Sequence, residues 1–285
     1  EERTATAKVY EIELVLGDGR TTLYAILISG AFSFGIKGKI KFMIQKFNLR
    51  NVDAVITISE TSKKDIVRFL GFPPDKIYVI YLASQTTELK ITSNKLKEIK
   101  RKYNLPDKFV LYVGDVNYNK NLLSLAAACK KVDIALVIVG KQATEQNFNR
   151  ANWENHTWVE FLQKYSQDPK IKRVGYLEFG ELPYFYKLAT VYCQPSFYEG
   201  FGLPILEAFV NKCPVIASKI QVHMEVAGDS VYFFDPKNTD ELVAVIRKII
   251  GSQKLREGLI KKGNERVKSF CWQKTAKETV EVYKK

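Results

Sequence analysis

Short apolar runs alternate with amphipathic stretches along most of this chain. Residues 52–58 form a run rich in β-branched side chains that predicts a buried strand, and residues 60–70 follow with apolar positions at helical spacing. Ser59 or Thr61 is placed to cap that helix, Gly71 to end it, and Pro73-Pro74 to turn the chain into a next strand at 77–82. The alternation then repeats. Strands are predicted at Phe109–Val113, 134–139, Ile171–Val174, Val191–Gln194 and 215–217, with helices at 121–131, 182–189 and 204–209. Residues 239–250 and 255–282 read as helical, with Gly251 and Gly263 as punctuation.

Strands and helices in this order predict an α/β protein built on parallel sheets with right-handed crossovers. Ligands of such open sheets bind at the carboxyl ends of strands, so the loops after Val113, Val139 and Gln194 are the candidate sites. The polar, lysine-rich stretch 85–102 reads as a linker between two domains. The expected division is an N-terminal domain at 1–104, a second domain at 105–270, and a C-terminal helix at 271–285 that returns to the first. The chain shows neither internal repeats nor low-complexity tracts.

Composition agrees with a globular protein: 46% of residues are hydrophobic and 26% charged. The formal net charge of +13 points to an acidic partner, whether phosphates, nucleic acid or an anionic surface. Cys129, Cys193, Cys213 and Cys271 are scattered without metal-ligand spacing, and His156 and His223 lie far from them in sequence. Isolated buried thiols in a reducing cytoplasm are therefore expected, with no metal site. No secretory signal is visible, and the apolar stretch 23–36 is too short and too interrupted to span a bilayer.

The strongest constellation runs Pro195-Ser196-Phe197-Tyr198-Glu199-Gly200-Phe201-Gly202-Leu203-Pro204-Ile205-Leu206-Glu207-Ala208. A strand ends, a glycine loop follows, and a helix begins with Pro204 in its first turn, where proline is tolerated. Gly200 and Gly202 let the backbone approach a ligand, and the free N–H groups of the helix start can hold a phosphate. Glu199 and Glu207 are acceptors suited to the hydroxyls of a sugar and a ribose. Spacing alone leaves this reading level with that of an ordinary helix start bearing a solvated glutamate.

The full string decides more. Glu199-Gly200-Phe201-Gly202-Leu203-Pro204-Ile205-Leu206-Glu207 resembles the E-x7-E motif of the family 4 retaining glycosyltransferases, which adopt the two-domain GT-B fold. Further landmarks appear in the family's order. They are Asp53-Ala54-Val55-Ile56-Thr57-Ile58-Ser59-Glu60-Thr61-Ser62-Lys63, Val113-Gly114 with Lys120-Asn121, Gly175-Tyr176-Leu177 with Leu182-Pro183, Pro214-Val215-Ile216-Ala217-Ser218, and Glu225-Val226-Ala227-Gly228. The resemblance runs from about Asp53 to the end of the chain.

It implies two Rossmann-like domains, the first seemingly shortened, and transfer of a hexose from a UDP- or GDP-sugar to a glycan or lipid-linked acceptor. Glu199 would contact the donor sugar as the catalytic position, and Lys120 would neutralise the departing diphosphate. Glu207 would bind the ribose hydroxyls, while Gly114, Gly200, Phe201, Gly202 and Leu203 would hold the sugar and its phosphates. Tyr176 and Leu177 would lie beside the base. No metal and no cofactor beyond the nucleotide-sugar co-substrate are implied, and a mannosyl- or glucosyltransferase is the expected activity.

Two departures stand out. Many members carry an arginine where this chain has Asp115, so Lys120 acts alone or with Arg173 or Lys141. The stretch before residue 52 is also shorter than the family's and lacks histidine, so no acceptor residues transfer. A catalytically incomplete nucleotide-sugar-binding protein or subunit is the competing reading. Residues 36–50 mix five basic residues with large apolar ones. They suit a helix packed on the core with its lysines in water, or a peripheral contact with the inner face of a membrane. No nucleic-acid recognition pattern accompanies the positive charge.

Overall fold

The computed structural model describes residues 7–12, 23–28, 43, 47, 52–84, 91–152, 155–178 and 180–285. The basic stretch 36–50 thus lies outside the described residues except for Met43 and Phe47, which are exposed. Two compact units divide the chain. The first comprises Glu1–Ala83, Tyr198–Phe201 and Phe270–Lys285, and the second Ser84–Phe197 and Gly202–Ser269.

In the first unit, strands β1 (Ala7–Ile12), β2 (Leu23–Ile28), β3 (Val55–Thr57) and β4 (Ile77–Val79) form a sheet in that order. Strands β2, β3 and β4 are parallel, as expected, and β1 pairs antiparallel with β2 at the sheet's edge. Only residues 13–22 separate β1 from β2, a connection shorter than the dozen or so residues a crossover usually needs. Helix α1 (Glu60–Asp65) follows β3, with Ser59 in extended conformation as its N-cap, accepting a hydrogen bond from the Ser62 N–H. The predicted helix continues through Ile66–Leu70, but as a π-helical turn, and it ends at Gly71 with φ 68°. Ile66 and Leu70 pack with Val52, Val55, Phe72 and Ile77.

The second unit begins with α2 (Ser93–Lys102), lying inside the stretch read as a linker. Thr92 caps it, basic residues fill its last turn, and Ile99 is its buried contact. Next come β5 (Phe109–Val113), α3 (Leu122–Val132), β6 (Ala135–Val139), α4 (His156–Tyr165), β7 (Ile171–Val174), α5 (Leu182–Leu188) and β8 (Val191–Gln194). Then follow α6 (Leu203–Val210), β9 (Val215–Ser218), α7 (Gln221–Ala227), β10 (Tyr232–Phe234), α8 (Thr239–Gly251) and α9 (Gln253–Val267). The last helix, α10 (Trp272–Tyr283), belongs to the first unit, where the Thr275 hydroxyl donates to the Tyr81 carbonyl at 2.6 Å.

All six strands of the second unit are parallel, in the order β10-β9-β8-β5-β6-β7. The order reverses between β5 and β8, so the crevice at their carboxyl ends is the topological switch point. The core joins Val110, Leu136 and Ile138 of the sheet to Leu125 and Cys129 of α3 and to Leu242, Ile246 and Ile249 of α8. Each such buried side chain contributes roughly 1.5–3 kcal/mol of transfer free energy. Trp158 and Phe161 of α4 stack at 4.6 Å within the same core. Cys129, Cys193 and Cys213 are buried as expected, and burial pushes each thiol's pKa up. Cys271, by contrast, is exposed.

Gly263 does not punctuate a helix. It lies inside α9, where an added Cβ would fall 2.5 Å from Cδ1 of Phe209. No helix among the described residues is long and apolar enough to cross a membrane.

Candidate functional site

In the second unit the first loop of interest leaves β5 at Gly114, whose φ of 144° favours glycine. A Cβ at Gly140 would stand 2.2 Å from the Gly114 carbonyl oxygen, so the loops after β5 and β6 meet backbone to backbone. The Gly114 N–H donates to the Val139 carbonyl at 2.9 Å, and the Tyr112 hydroxyl donates to the Asp115 carbonyl at 2.6 Å. A 3-10 turn at Tyr118–Lys120 then presents Lys120, followed by Asn121 in the left-handed region.

Asn121 is a buried tie. Its amide donates to the carbonyls of Pro195 and Pro236 at 3.1 and 2.9 Å. The Phe197 N–H donates to the Asn119 carbonyl at 2.8 Å, and the Phe197 ring stacks on Tyr118 at 5.7 Å. The Lys120 loop is therefore fastened to the exit of β8, its neighbour across the switch point.

Polar side chains order that exit. The Tyr192 hydroxyl donates to Gln194, whose amide donates to Ser196 Oγ at 3.1 Å. The Ser218 hydroxyl donates to the Ser196 carbonyl at 2.5 Å, and His223 Nδ1 lies 3.1 Å from Ser218 Oγ. His223 is fully buried, and its ring lies 3.6 Å from where a Cβ on Gly202 would sit. The sequence reading gave this histidine no role; its position just after β9 was the available signal.

Helix α6 starts at Gly202, which has φ 98° and ψ 45°, with Leu203 and Pro204 opening the first turn. One turn on, the Glu207 carboxyl is buried and accepts a 2.9 Å hydrogen bond from the Tyr186 hydroxyl of α5. Burial pushes the Glu207 pKa above the usual glutamate value, against the lowering effect of that hydrogen bond. Tyr186 was not anticipated, because nothing local pairs it with a residue 21 positions away.

Tyr176 is 83% exposed in the loop after β7, and Leu177 beside it is half-buried. At the end of that loop Glu181 is buried and accepts hydrogen bonds from the Tyr103 hydroxyl at 2.5 Å and Lys102 Nζ at 2.9 Å. Burial pushes its pKa up, but these two partners outweigh that effect and hold it below the ordinary value. Arg173 donates to the Ala143 carbonyl at 3.5 Å and, with Thr144, Phe148, Arg150 and Gln163, lines a cavity of about 980 Å³. Of the site residues expected from the sequence, that cavity includes Arg173 alone.

Glu199, Gly200 and Phe201 fall in the first unit. Phe201 is buried beside Tyr81 and Phe270, with ring centroids 6.0 Å from each. The Gly200 carbonyl accepts from Ser59 Oγ at 2.8 Å and from Ser62 Oγ at 3.3 Å, and the Tyr198 hydroxyl donates to Asp65 at 2.6 Å. Among the described residues, no group of three or more His, Cys, Asp or Glu side chains is clustered as a metal site.

The family model described as glycosyl transferases group 1 matches residues 95–266. O-antigen chain mannosyltransferase B of Escherichia coli is 27% identical over 273 residues, covering 93% of this chain and 69% of the relative. MMP alpha-(1->4)-mannosyltransferase of Mycolicibacterium hassiacum is 26% identical over 249 residues, covering 85% of this chain and 56% of its own length. Among solved structures, sucrose-phosphate synthase from Thermosynechococcus elongatus superposes with a TM-score of 0.69 at 25% identity, over 86% of this chain and 61% of that one. The Anabaena protein HepE, solved with UDP and glucose, gives 0.72 at 17% identity, over 84% and 67% of the two chains. The match spans well over half of this sequence, and the chain belongs to the group 1 glycosyl transferases, with the GT-B fold.

Proposed function

We propose that this protein is a retaining glycosyltransferase of the family 4 type. In this reading it moves a hexose from a UDP- or GDP-sugar to a glycan or lipid-linked acceptor. The observation that carries the reading is the buried Glu207 carboxylate, one turn into a helix that opens on left-handed Gly202. An acceptor-only carboxylate at that place suits neutral hydroxyl donors, such as those of a ribose. The free N–H groups at the start of α6 suit phosphate oxygens, and Lys120 supplies the positive charge for a departing diphosphate. The loop bearing Tyr176 and Leu177 flanks the base, while Gly114, Gly200, Phe201, Gly202 and Leu203 shape the sugar and phosphate contacts.

Chemistry in this reading passes through an oxocarbenium-like state. The bond from the anomeric carbon to the leaving phosphate oxygen breaks, and the acceptor hydroxyl bonds to the same face. Its proton passes to the departing phosphate. Glu199 contacts the sugar, and the lysine with the helix start takes the place of a metal ion.

Both relatives described above are named mannosyltransferases, so mannosyl donors are the first to test. The test is a thermal-shift screen with UDP, GDP, ADP and their sugar conjugates, followed by transfer assays on the nucleotide that stabilises. Stabilisation by one nucleotide and loss of transfer in Glu199→Ala support the proposal. A flat response to every nucleotide sinks it, and tight binding without turnover on any acceptor favours a nucleotide-sugar-binding module.

A further inference from the structure

Glu199 sits between two residues whose backbone and side chain are held by one short stretch of the same unit. On one side, the Tyr198 hydroxyl donates to Asp65 Oδ2 at 2.6 Å. On the other, the Gly200 carbonyl receives the Ser59 and Ser62 hydroxyls at 2.8 and 3.3 Å. The two hydroxyls also lie 2.9 Å from each other, so their two protons are shared among that contact and the two to the Gly200 carbonyl, whose oxygen has two lone pairs to receive them. Ser59 Oγ also accepts the Ser62 N–H at 2.9 Å, so the residue that caps α1 anchors the glycine loop as well.

The two serine side chains are well shielded, while Asp65 and Tyr198 are half-buried. Ser59 and Ser62 are 0% and 1% exposed, and Tyr198 packs against the core formed by Val55, Ile66 and Ile77. A single loop hydrogen bond is readily replaced by water, but paired buried hydroxyls on one carbonyl are not. The π-helical turn begins directly after Asp65. Such insertions are frequent at functional sites.

We propose that Ser59, Ser62, Asp65 and Tyr198 act as a clamp that positions Glu199 for the donor sugar. The inference rests on the reading of Glu199 given above and deepens it. The four are positioning residues: they fix the backbone on either side of Glu199 and do not touch the reacting atoms. Such a clamp acts on the sugar's contribution to binding and turnover, not on recognition of the nucleotide.

The test compares affinity for a nucleotide-sugar with affinity for the matching nucleoside diphosphate, using the full chain and calorimetry. Tyr198→Phe keeps the ring and removes the hydroxyl; Ser62→Ala removes one donor and leaves the Ser59 cap in place. Asp65→Asn still accepts the tyrosine proton, whereas Asp65→Ala cannot. The combined Ser62→Ala/Tyr198→Phe variant is expected to lose about tenfold or more of the sugar's contribution and of turnover, with diphosphate affinity within about twofold of wild type. Asp65→Asn should retain both quantities where Asp65→Ala does not.

If the clamp variants keep the sugar's contribution while Glu199→Gln loses it, the clamp is overturned and the functional reading survives. If Glu199→Gln also keeps it, or the wild type binds no nucleotide, the functional reading falls and the clamp with it.

Discussion

The Tyr186 hydroxyl points its proton at the Glu207 carboxylate across 2.9 Å, and both groups are buried in the second unit. Burial raises the Glu207 pKa, so the folded protein holds this proton to higher pH than an exposed glutamate would. The proton's contribution to stability is therefore present below the ordinary glutamate range and is lost as pH rises through the raised value. Only the ionised form is a full acceptor for ribose hydroxyls.

Nucleotide affinity should accordingly fall on acidification before exposed glutamates titrate. Tyr186→Phe removes the stabilising donor and should move that midpoint upward by about one pH unit. Glu207→Gln should flatten the pH dependence, lower nucleotide affinity about tenfold, and raise stability at neutral pH. Calorimetric titrations between acid and neutral pH, with thermal unfolding alongside, check all three outcomes.

Helix α9 offers an internal control on glycine. Gly263 faces Phe209 so closely that Gly263→Ala should destabilise the protein by about 1–3 kcal/mol despite alanine's better helix propensity. Gly258, in the same helix, has nothing within 4 Å of an added Cβ, so Gly258→Ala should stabilise by roughly 0.5–1 kcal/mol. Denaturant unfolding of the two variants should give opposite signs. Pairing Gly263→Ala with Phe209→Leu should recover part of the loss.

Glu181 gives the acid limb of stability. Its pKa lies below the ordinary value because Tyr103 and Lys102 outweigh burial, so its stabilising effect is full above the ordinary glutamate range. That effect drains away as pH falls through the depressed value. Glu181→Gln keeps an acceptor for Tyr103 but loses the charge that pairs with Lys102, and should shift acid unfolding to higher pH. Circular dichroism during acid titration reads the shift.

The parallel core of the second unit was legible because its strands are continuous apolar runs. Phe109–Val113, Ile171–Val174 and Val191–Gln194 form strands at their predicted bounds. Strand β10 escaped because three residues, Tyr232–Phe234, show no period. Helix α2 looked like a linker because Leu96 and Ile99 are its only two apolar residues, set among lysines and other polar side chains. Gly263 looked like a stop because a glycine that ends a helix and one that admits a neighbouring ring are the same letter.

The candidate site is a local string in the sequence, but its partners are not local. Glu207 finds Tyr186, and Tyr198 finds Asp65, at separations of 21 and 133 residues. Pairings at that range exist only once the chain has folded.

The six-stranded sheet ends on short strands, β10 with three residues and β7 with four. An outermost strand is a template on which another chain can add itself, and its power to do so grows with its length. Lys172 and Arg173 also place charge on β7. Short outer strands, one of them charged, are poor templates for such growth, so this sheet offers neighbouring copies little edge to add to when the protein is concentrated.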